Sequence, residues 1–291
     1  MIVHDTRQGF SSWKEAVSSE VYGCVVYDNG WLGTDRYNGH NFYIQNITGT
    51  KLFADNIILR AYSHNIQAYG SSTAYVNNLQ FIGNVGVNGG ERGFLLGSGN
   101  MAVNPVWKDN VMYRDDPESG GTIFYMSYPL GYLNSGSQDA VVTGNYFVGG
   151  KLTFSNNPGM NFSGNWLFNT TANGDVPSMA GNKDIMVRPG TNTVSVRPNK
   201  YEPRRANITV LNWTGVDAVD VDVSTILQSG DTYEVRDAQN YFGNPVLSGT
   251  YTGGSLRLPM TGGTLRARVG NDPRTITHTL KDFGTFVLLS R

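Results

Sequence analysis

Five short segments of the chain fall into one register when they are written above each other: Gly9-Phe-Ser-Ser-Trp, Asn41-Phe-Tyr-Ile-Gln, Asn65-Ile-Gln-Ala-Tyr, Gly93-Phe-Leu-Leu-Gly and Lys151-Leu-Thr-Phe-Ser. The residues just before the first four are Gln8, His40, His64 and Arg92. Alternate residues of a strand share a face. Phe10, Phe42, Ile66, Phe94 and Leu152 therefore stack on one side. Ser11, Tyr43, Gln67, Leu95 and Thr153 point to the other, with Trp13, Gln45 and Tyr69 two residues along on that same face. The outward patch thus gathers histidine, glutamine, tyrosine, tryptophan and arginine side chains. Aromatic faces can cover the apolar side of a sugar ring, while amides and guanidinium groups bond hydroxyls or carboxylates.

Removing a proton beside a carboxylate needs a cation on that carboxylate, a base for the proton and an acid for the leaving oxygen. His40 is the candidate base and Tyr43 the acid, with Arg36, Arg60 or Arg92 as the cation. His64 completes the catalytic set. Trp13, Asp35, Arg36, Gln45, Gln67, Tyr69, Glu91 and Arg92 form the binding set. Hydrolysis would need two carboxyls about 5 to 9.5 Å apart. Asp35, Glu91, Asp115 and Asp116 are available, but none falls on matching rows, which favours proton abstraction over hydrolysis. The competing structural reading is a decorated surface on which His40 and His64 cap turns. The insertion from Trp31 to Gly39 lengthens one unit just before His40 and would wall a groove. A second insertion, Tyr113 to Gly121, would form the opposite wall or a loop.

These rows require repeating strands, and a repeat is present. The phrase Gly or Asp, then Asn (once Cys), then a strand-like triplet occurs six times: Gly23-Cys24, Asp55-Asn56, Gly83-Asn84, Asp109-Asn110, Gly144-Asn145 and Gly164-Asn165. The spacing of roughly 20 to 35 residues suits a solenoid of stacked units. Val, Ile, Tyr, Phe and Gly without a 3.6-residue apolar period argue for strands over helices. Leucine-rich-repeat spacing is missing. The expected fold is all-β: a right-handed parallel β-helix over residues 1–172, with the asparagines as an internal ladder. Cys24 occupies the same rung, so it reads as a buried, reduced thiol.

Residues 173–183 have the Gly, Pro, Asn and Ser content of a linker. Beyond them, Ala206-Asn-Ile-Thr-Val-Leu-Asn, Val219-Asp-Val-Asp-Val and Thr232-Tyr-Glu-Val-Arg alternate with period two, as antiparallel strands with one wet face do. Residues 184–291 are expected to form a small antiparallel β-sandwich with an accessory role. Asp217, Asp220 and Asp222 leave calcium ligation open there against the simpler reading of a solvated face. No other metal or cofactor signal is present.

The chain has 291 residues, 36 Gly, 12% aromatic residues, 15% charged residues, one Cys and a formal net charge of −1. Near-neutral charge without basic clusters argues against nucleic acid as a partner. No apolar run approaches the roughly 18 residues of a membrane helix. The start Met1-Ile-Val-His-Asp shows no signal-peptide pattern. Ile2-Val-His-Asp aligns instead with Val25-Val-Tyr-Asp, so the chain is expected to begin inside a strand, with earlier coils missing or a partner chain covering that edge.

The glycine-asparagine rungs over residues 1–170 resemble the right-handed parallel β-helix superfamily that includes pectate lyases, polygalacturonases, alginate lyases and mannuronan epimerases. The stretches Asn199-Lys-Tyr-Glu-Pro-Arg-Arg and Gly230-Asp-Thr-Tyr-Glu-Val-Arg are similar to C-terminal β-sandwiches of secreted carbohydrate-active proteins. The resemblance implies an extracellular or cell-surface location, a polysaccharide or oligosaccharide partner, and lyase or epimerase chemistry on an acidic, uronate-containing glycan. The Asp-Pro-His-Glu of the epimerases, the ordered motifs of the polygalacturonases and a pectate-lyase calcium cluster are all missing. A glycoside hydrolase with a carboxylate pair remains an alternative, as does a non-catalytic glycan-binding, tailspike-like module.

Overall fold

A computed structural model describes residues 1–115, 121–126, 136–185 and 187–290. Asp116 and most of the insertion from Tyr113 to Gly121 lie outside these residues. The chain divides into two compact units, Met1–Met186 with Arg268–Arg274, and Val187–Ala267 with Thr275–Arg291.

The first unit is built from three parallel sheets of eight, seven and six strands, visited in the same cyclic order, a solenoid-like arrangement. The eight-stranded sheet runs from Ile2–His4 through Val25–Tyr27, Ile57–Leu59, Val85–Val87, Val111–Tyr113, Tyr146–Val148 and Trp166–Phe168 to Lys183–Ile185. The seven-stranded sheet contains Phe10–Ser12, His40–Ile44, His64–Tyr69, Arg92–Gly97, Thr122–Met126, Lys151–Phe154 and Thr171–Gly174. Ile2 pairs with Val25, as the sequence alignment anticipates.

Each repeated phrase has a two-part physical cause. Its first residue, Gly23, Asp55, Gly83, Asp109, Gly144 or Gly164, takes a φ of 51–70°. That region is open to glycine and tolerated by Asp, which explains the restricted choice. Its second residue then points inward. Asn84 Oδ1 accepts the Asn56 backbone N–H at 3.0 Å and the Asn56 amide at 2.9 Å, and Asn84 Nδ2 donates to Phe53 O at 2.8 Å. The same three-bond pattern joins Asn84 to Asn110, Asn110 to Asn145 and Asn145 to Asn165. Cys24 sits on the ladder through its backbone N–H, which donates to Asn56 Oδ1 at 2.9 Å. Between the sheets lies an apolar interior in which Phe42, Phe53, Phe81, Phe94, Trp107 and Phe124 pack ring on ring.

Two features differ from the sequence reading. The ladder has another rung, Asn182, whose Oδ1 accepts from Asn165 N at 2.9 Å and Asn165 Nδ2 at 2.8 Å. Strands Thr171–Gly174 and Lys183–Ile185 accordingly pair with the preceding coil, so parallel pairing runs through the 173–183 stretch whose composition reads as a linker. Thr122–Met126 also pairs between Arg92–Gly97 and Lys151–Phe154, supplying a strand that the five-segment alignment passed over.

The second unit contains a five-stranded antiparallel sheet, in the order Thr193–Pro198, Arg205–Leu211, Phe283–Ser290, Thr232–Asp237, Leu247–Thr250. A two-stranded antiparallel ribbon pairs Ala218–Asp222 with Ser255–Pro259. Val219 and Val221 are buried and Asp220 and Asp222 exposed, as the alternation requires. Asp220 pairs with Arg257 at 3.4 Å, Asp222 accepts from Ser224 N at 2.9 Å, and Asp217 pairs with Lys281 at 2.9 Å.

Asn110→Ala strands the Asn84 amide and backbone donors and the Phe81 carbonyl in a dry interior, so it should destabilise the chain by about 1–3 kcal/mol. Urea denaturation measures this through the unfolding midpoint. An unchanged midpoint would mean that the ladder does not hold the stack.

Candidate functional site

The seven-stranded sheet carries the site because a second asparagine ladder fixes its entry corner. Asn29 Nδ2 donates to Asn41 Oδ1 at 2.8 Å, Asn41 Nδ2 to Asn65 Oδ1 at 3.0 Å, and Asn65 Nδ2 to Val87 O at 3.0 Å. Asn41 and Asn65 directly follow the two histidines. Locking them inside sets His40 opposite His64 and His64 opposite Arg92, with Tyr43, Gln67 and Leu95 in register three residues along. The His40 and His64 rings meet edge to face with centroids 5.0 Å apart.

Beside these rows is a cavity of about 370 Å³, lined by Arg36, Tyr37, Asn38, Gly39, His40, Ser63, His64, Gln67, Tyr69, Glu91, Arg92 and Leu95. Arg36 is exposed and has no ion-pair partner among the described residues. Among the described residues, two arginines thus face a single carboxylate, Glu91, in a chain that is nearly neutral overall. Such a cavity favours an anion.

The hydrogen bonds assign the state of His64. Arg92 Nη1 can only donate, and it stands 3.1 Å from His64 Nε2, so Nε2 accepts. Nδ1 then carries the proton and donates to Ser63 Oγ at 2.5 Å, and Ser63 Oγ donates to Glu91 Oε2 at 2.9 Å. The 3.7 Å between His64 and Glu91 is therefore bridged by a hydroxyl and is not a direct ion pair. Burial, then the neighbouring His40 and Arg92, hold the His64 pKa well below its ordinary value. His40 has no comparable network. Its Nδ1 is buried without a hydrogen-bond partner among the described residues, and burial lowers its pKa to about 4. Both imidazoles are neutral at pH 7, the state in which a ring nitrogen can accept a proton.

Of the residues selected from sequence, Arg36, His40, His64, Gln67, Tyr69, Glu91 and Arg92 line the cavity together. Tyr43 is half-buried beside it, edge-on to His40 at 5.5 Å and to Trp13 at 4.9 Å, so Tyr43 and Trp13 form an aromatic flank. Gln45 is engaged elsewhere: Nε2 donates to Tyr69 O at 3.2 Å, and its backbone carbonyl accepts from Lys51 Nζ at 2.7 Å. Asp35 lies at the turn next to Arg36 and does not line the cavity. Arg60 does not reach it either. At a relative exposure of 2%, it takes a left-handed φ of 49° and bonds Asp28 through Nε at 3.2 Å and Nη2 at 2.8 Å. Among the hydrolytic candidates, Glu91 lines the cavity, while Asp115 accepts from Asn88 Nδ2 at 2.6 Å.

Sequence reasoning missed Ser63 and Tyr37. Ser63 had a signal, since it precedes His64 as Gly39 precedes His40 and Glu91 precedes Arg92. Tyr37 had none beyond its place in the insertion.

With folded-state pKa values below the unfolded 6.5, His40 and His64 bind protons more readily in the unfolded chain. Their contribution to stability is therefore present above pH 6.5 and is lost as pH falls toward 4. Proton NMR should show the His40 ring titrating with a midpoint near 4, and a midpoint near 6.5 would place it in water. Comparison of the chain with protein-family models, curated proteins and solved structures finds no match.

Proposed function

We propose that the three parallel sheets form a right-handed parallel β-helix with an accessory C-terminal β-sandwich, and that the cavity is a cleft for an acidic, uronate-containing glycan. The observation that carries this reading is the pairing of two arginines with two neutral histidines around a cavity that contains, among the described residues, one carboxylate. The side groove of a solenoid accepts an extended chain, and Trp13 and Tyr43 continue it with apolar ring surface for a pyranose.

In this reading Arg92 and Arg36 bind the uronate carboxylate and stabilise the negative charge that develops on it. Neutral His40 takes the proton from C5. Elimination then forms the C4–C5 double bond as the C4–O4 bond breaks, and Tyr43, next to His40, protonates the departing oxygen. An epimerase would share the first step and return a proton to the opposite face of C5. The Ser63–Glu91 relay keeps His64 oriented, while burial, His40 and Arg92 keep it uncharged. Hydrolysis has less support, since among the described residues one carboxylate lines the cavity and the double-carboxylate mechanisms need two.

The test is a panel of oligouronates read by absorbance at about 235 nm, where unsaturated uronates absorb, by reducing ends, and by incorporation of deuterium from heavy water. His40→Gln should lower turnover by roughly 10²–10⁴ while leaving affinity nearly unchanged. Because the base must be unprotonated, kcat/KM of the wild type should hold from neutral pH downward and fall only near pH 4. Reducing ends without unsaturation would identify a hydrolase, and binding without turnover a glycan-binding module. Either result would overturn the proton-abstraction reading.

A further inference from the structure

The wall that carries Arg36 is a two-stranded ribbon. Trp31–Leu32 runs antiparallel to Tyr37–Asn38, with Leu32 opposite Tyr37, and Gly33 N donates to Arg36 O at 2.8 Å to close the turn. A lone two-stranded ribbon is marginal in water. What holds it therefore decides where Arg36 stands.

One strand is held from nearby in sequence, with Arg7 lying 4.6 Å over the Trp31 ring. The other is held by a residue from the far end of the chain. The segment Arg268–Arg274 belongs to the first unit, and Arg274 lies 3.9 Å over the centroid of Tyr37. Its guanidinium is clamped by Asp272, with Nε 2.9 Å from Oδ1 and Nη2 2.8 Å from Oδ2. Asp272 also pairs with Arg268, which donates to Asp28 Oδ1 at 2.9 Å and to the carbonyl of Arg60. These three side chains are less than a tenth exposed. Arg274 meets the opposite wall too: a Cβ placed on Gly90, the neighbour of Glu91, would lie 2.0 Å from the Tyr62 carbonyl and 2.5 Å from Arg274 Nη1. A single guanidinium touches both the ribbon and the Glu91 turn.

We infer that Arg274 is a positioning residue of the cleft, fixing the Trp31–Asn38 ribbon so that Arg36 faces the anion beside Arg92. Arg36 has no ion-pair partner of its own among the described residues, so its place depends on the ribbon backbone. The stacked, bidentate arrangement requires a planar fork, which lysine lacks. Loss of Arg274 should loosen the ribbon and weaken ligand binding without touching the proton-accepting ring of His40. That is a fall in kcat/KM, with the low-pH limb set by His40 left where it is.

Hydrogen exchange on the intact protein tests the positioning directly. Arg274→Gln and Arg274→Lys should each speed exchange of the 31–38 amides by about tenfold, with the Ile57–Leu59 rung unchanged. Unaltered 31–38 exchange in Arg274→Gln overturns the inference. The consequence for affinity rests on the glycan reading and is measured with oligogalacturonate and oligomannuronate as probes. Arg274→Gln and Arg36→Gln should each weaken binding about tenfold, and the double variant should be no weaker than either, as expected of residues acting through one contact. Additive losses, or an Arg274→Gln protein of wild-type affinity, contradict a role through Arg36. If the wild type binds neither probe, the glycan reading fails, and the exchange result alone decides whether Arg274 holds the ribbon.

Discussion

The first unit depends on satisfying the backbone where the chain turns from one sheet to the next. Strand ladders pair the N–H and C=O groups within each sheet, but corners leave them exposed to an apolar interior, where an unmet group is costly. Asparagine resolves this because its side chain is itself a peptide-like group with an acceptor and two donors. Stacked one coil apart, Asn84, Asn110, Asn145, Asn165 and Asn182 each accept twice from the coil before, Asn56 accepts once from the Cys24 backbone N–H, and all six return a bond to a backbone carbonyl. The left-handed residue ahead of each asparagine aims it inward.

Register follows from that constraint, and the site follows from register. A slip of one residue would turn every outward side chain inward. With Asn41 and Asn65 locked inside, His40 and His64 have no freedom to slide past each other. Burial then does the electrostatic work. Two imidazoles with centroids 5.0 Å apart and beside Arg92 are held neutral, leaving arginine as the cationic side chain of the cavity at neutral pH among the described residues. Bases and cations coexist there because their charge states are set by separate causes, desolvation for the rings and an intrinsically high pKa for the guanidinium groups.

Much of this was legible in the sequence because ladders repeat residue types. The alignment of Phe10, Phe42, Ile66 and Phe94, and with it the rows of His40, His64 and Arg92, is the register found in the sheet. What was not legible depends on contacts without a repeat. Arg60 was selected for its charge, but it occupies a corner where Asp28 from the preceding coil takes its guanidinium into the interior. Gln45 has a suitable side chain, yet the next coil's Tyr69 carbonyl claims its amide. Asn182 was hidden in a stretch whose Gly, Pro and Ser content imitates a linker. The Arg268–Arg274 segment carries no local sign that it belongs with residues near the start of the chain.

The most direct test of proton abstraction in this cleft is a competitive isotope effect on kcat/KM with oligouronates bearing deuterium at C5. A neutral-histidine base acting on that carbon predicts a normal primary effect of about 2 or more, because transition-state theory makes breaking the C5–H bond part of the barrier. Turnover of the same oligouronates with an isotope effect of unity, together with formation of saturated reducing ends, would contradict it and move the chemistry away from His40.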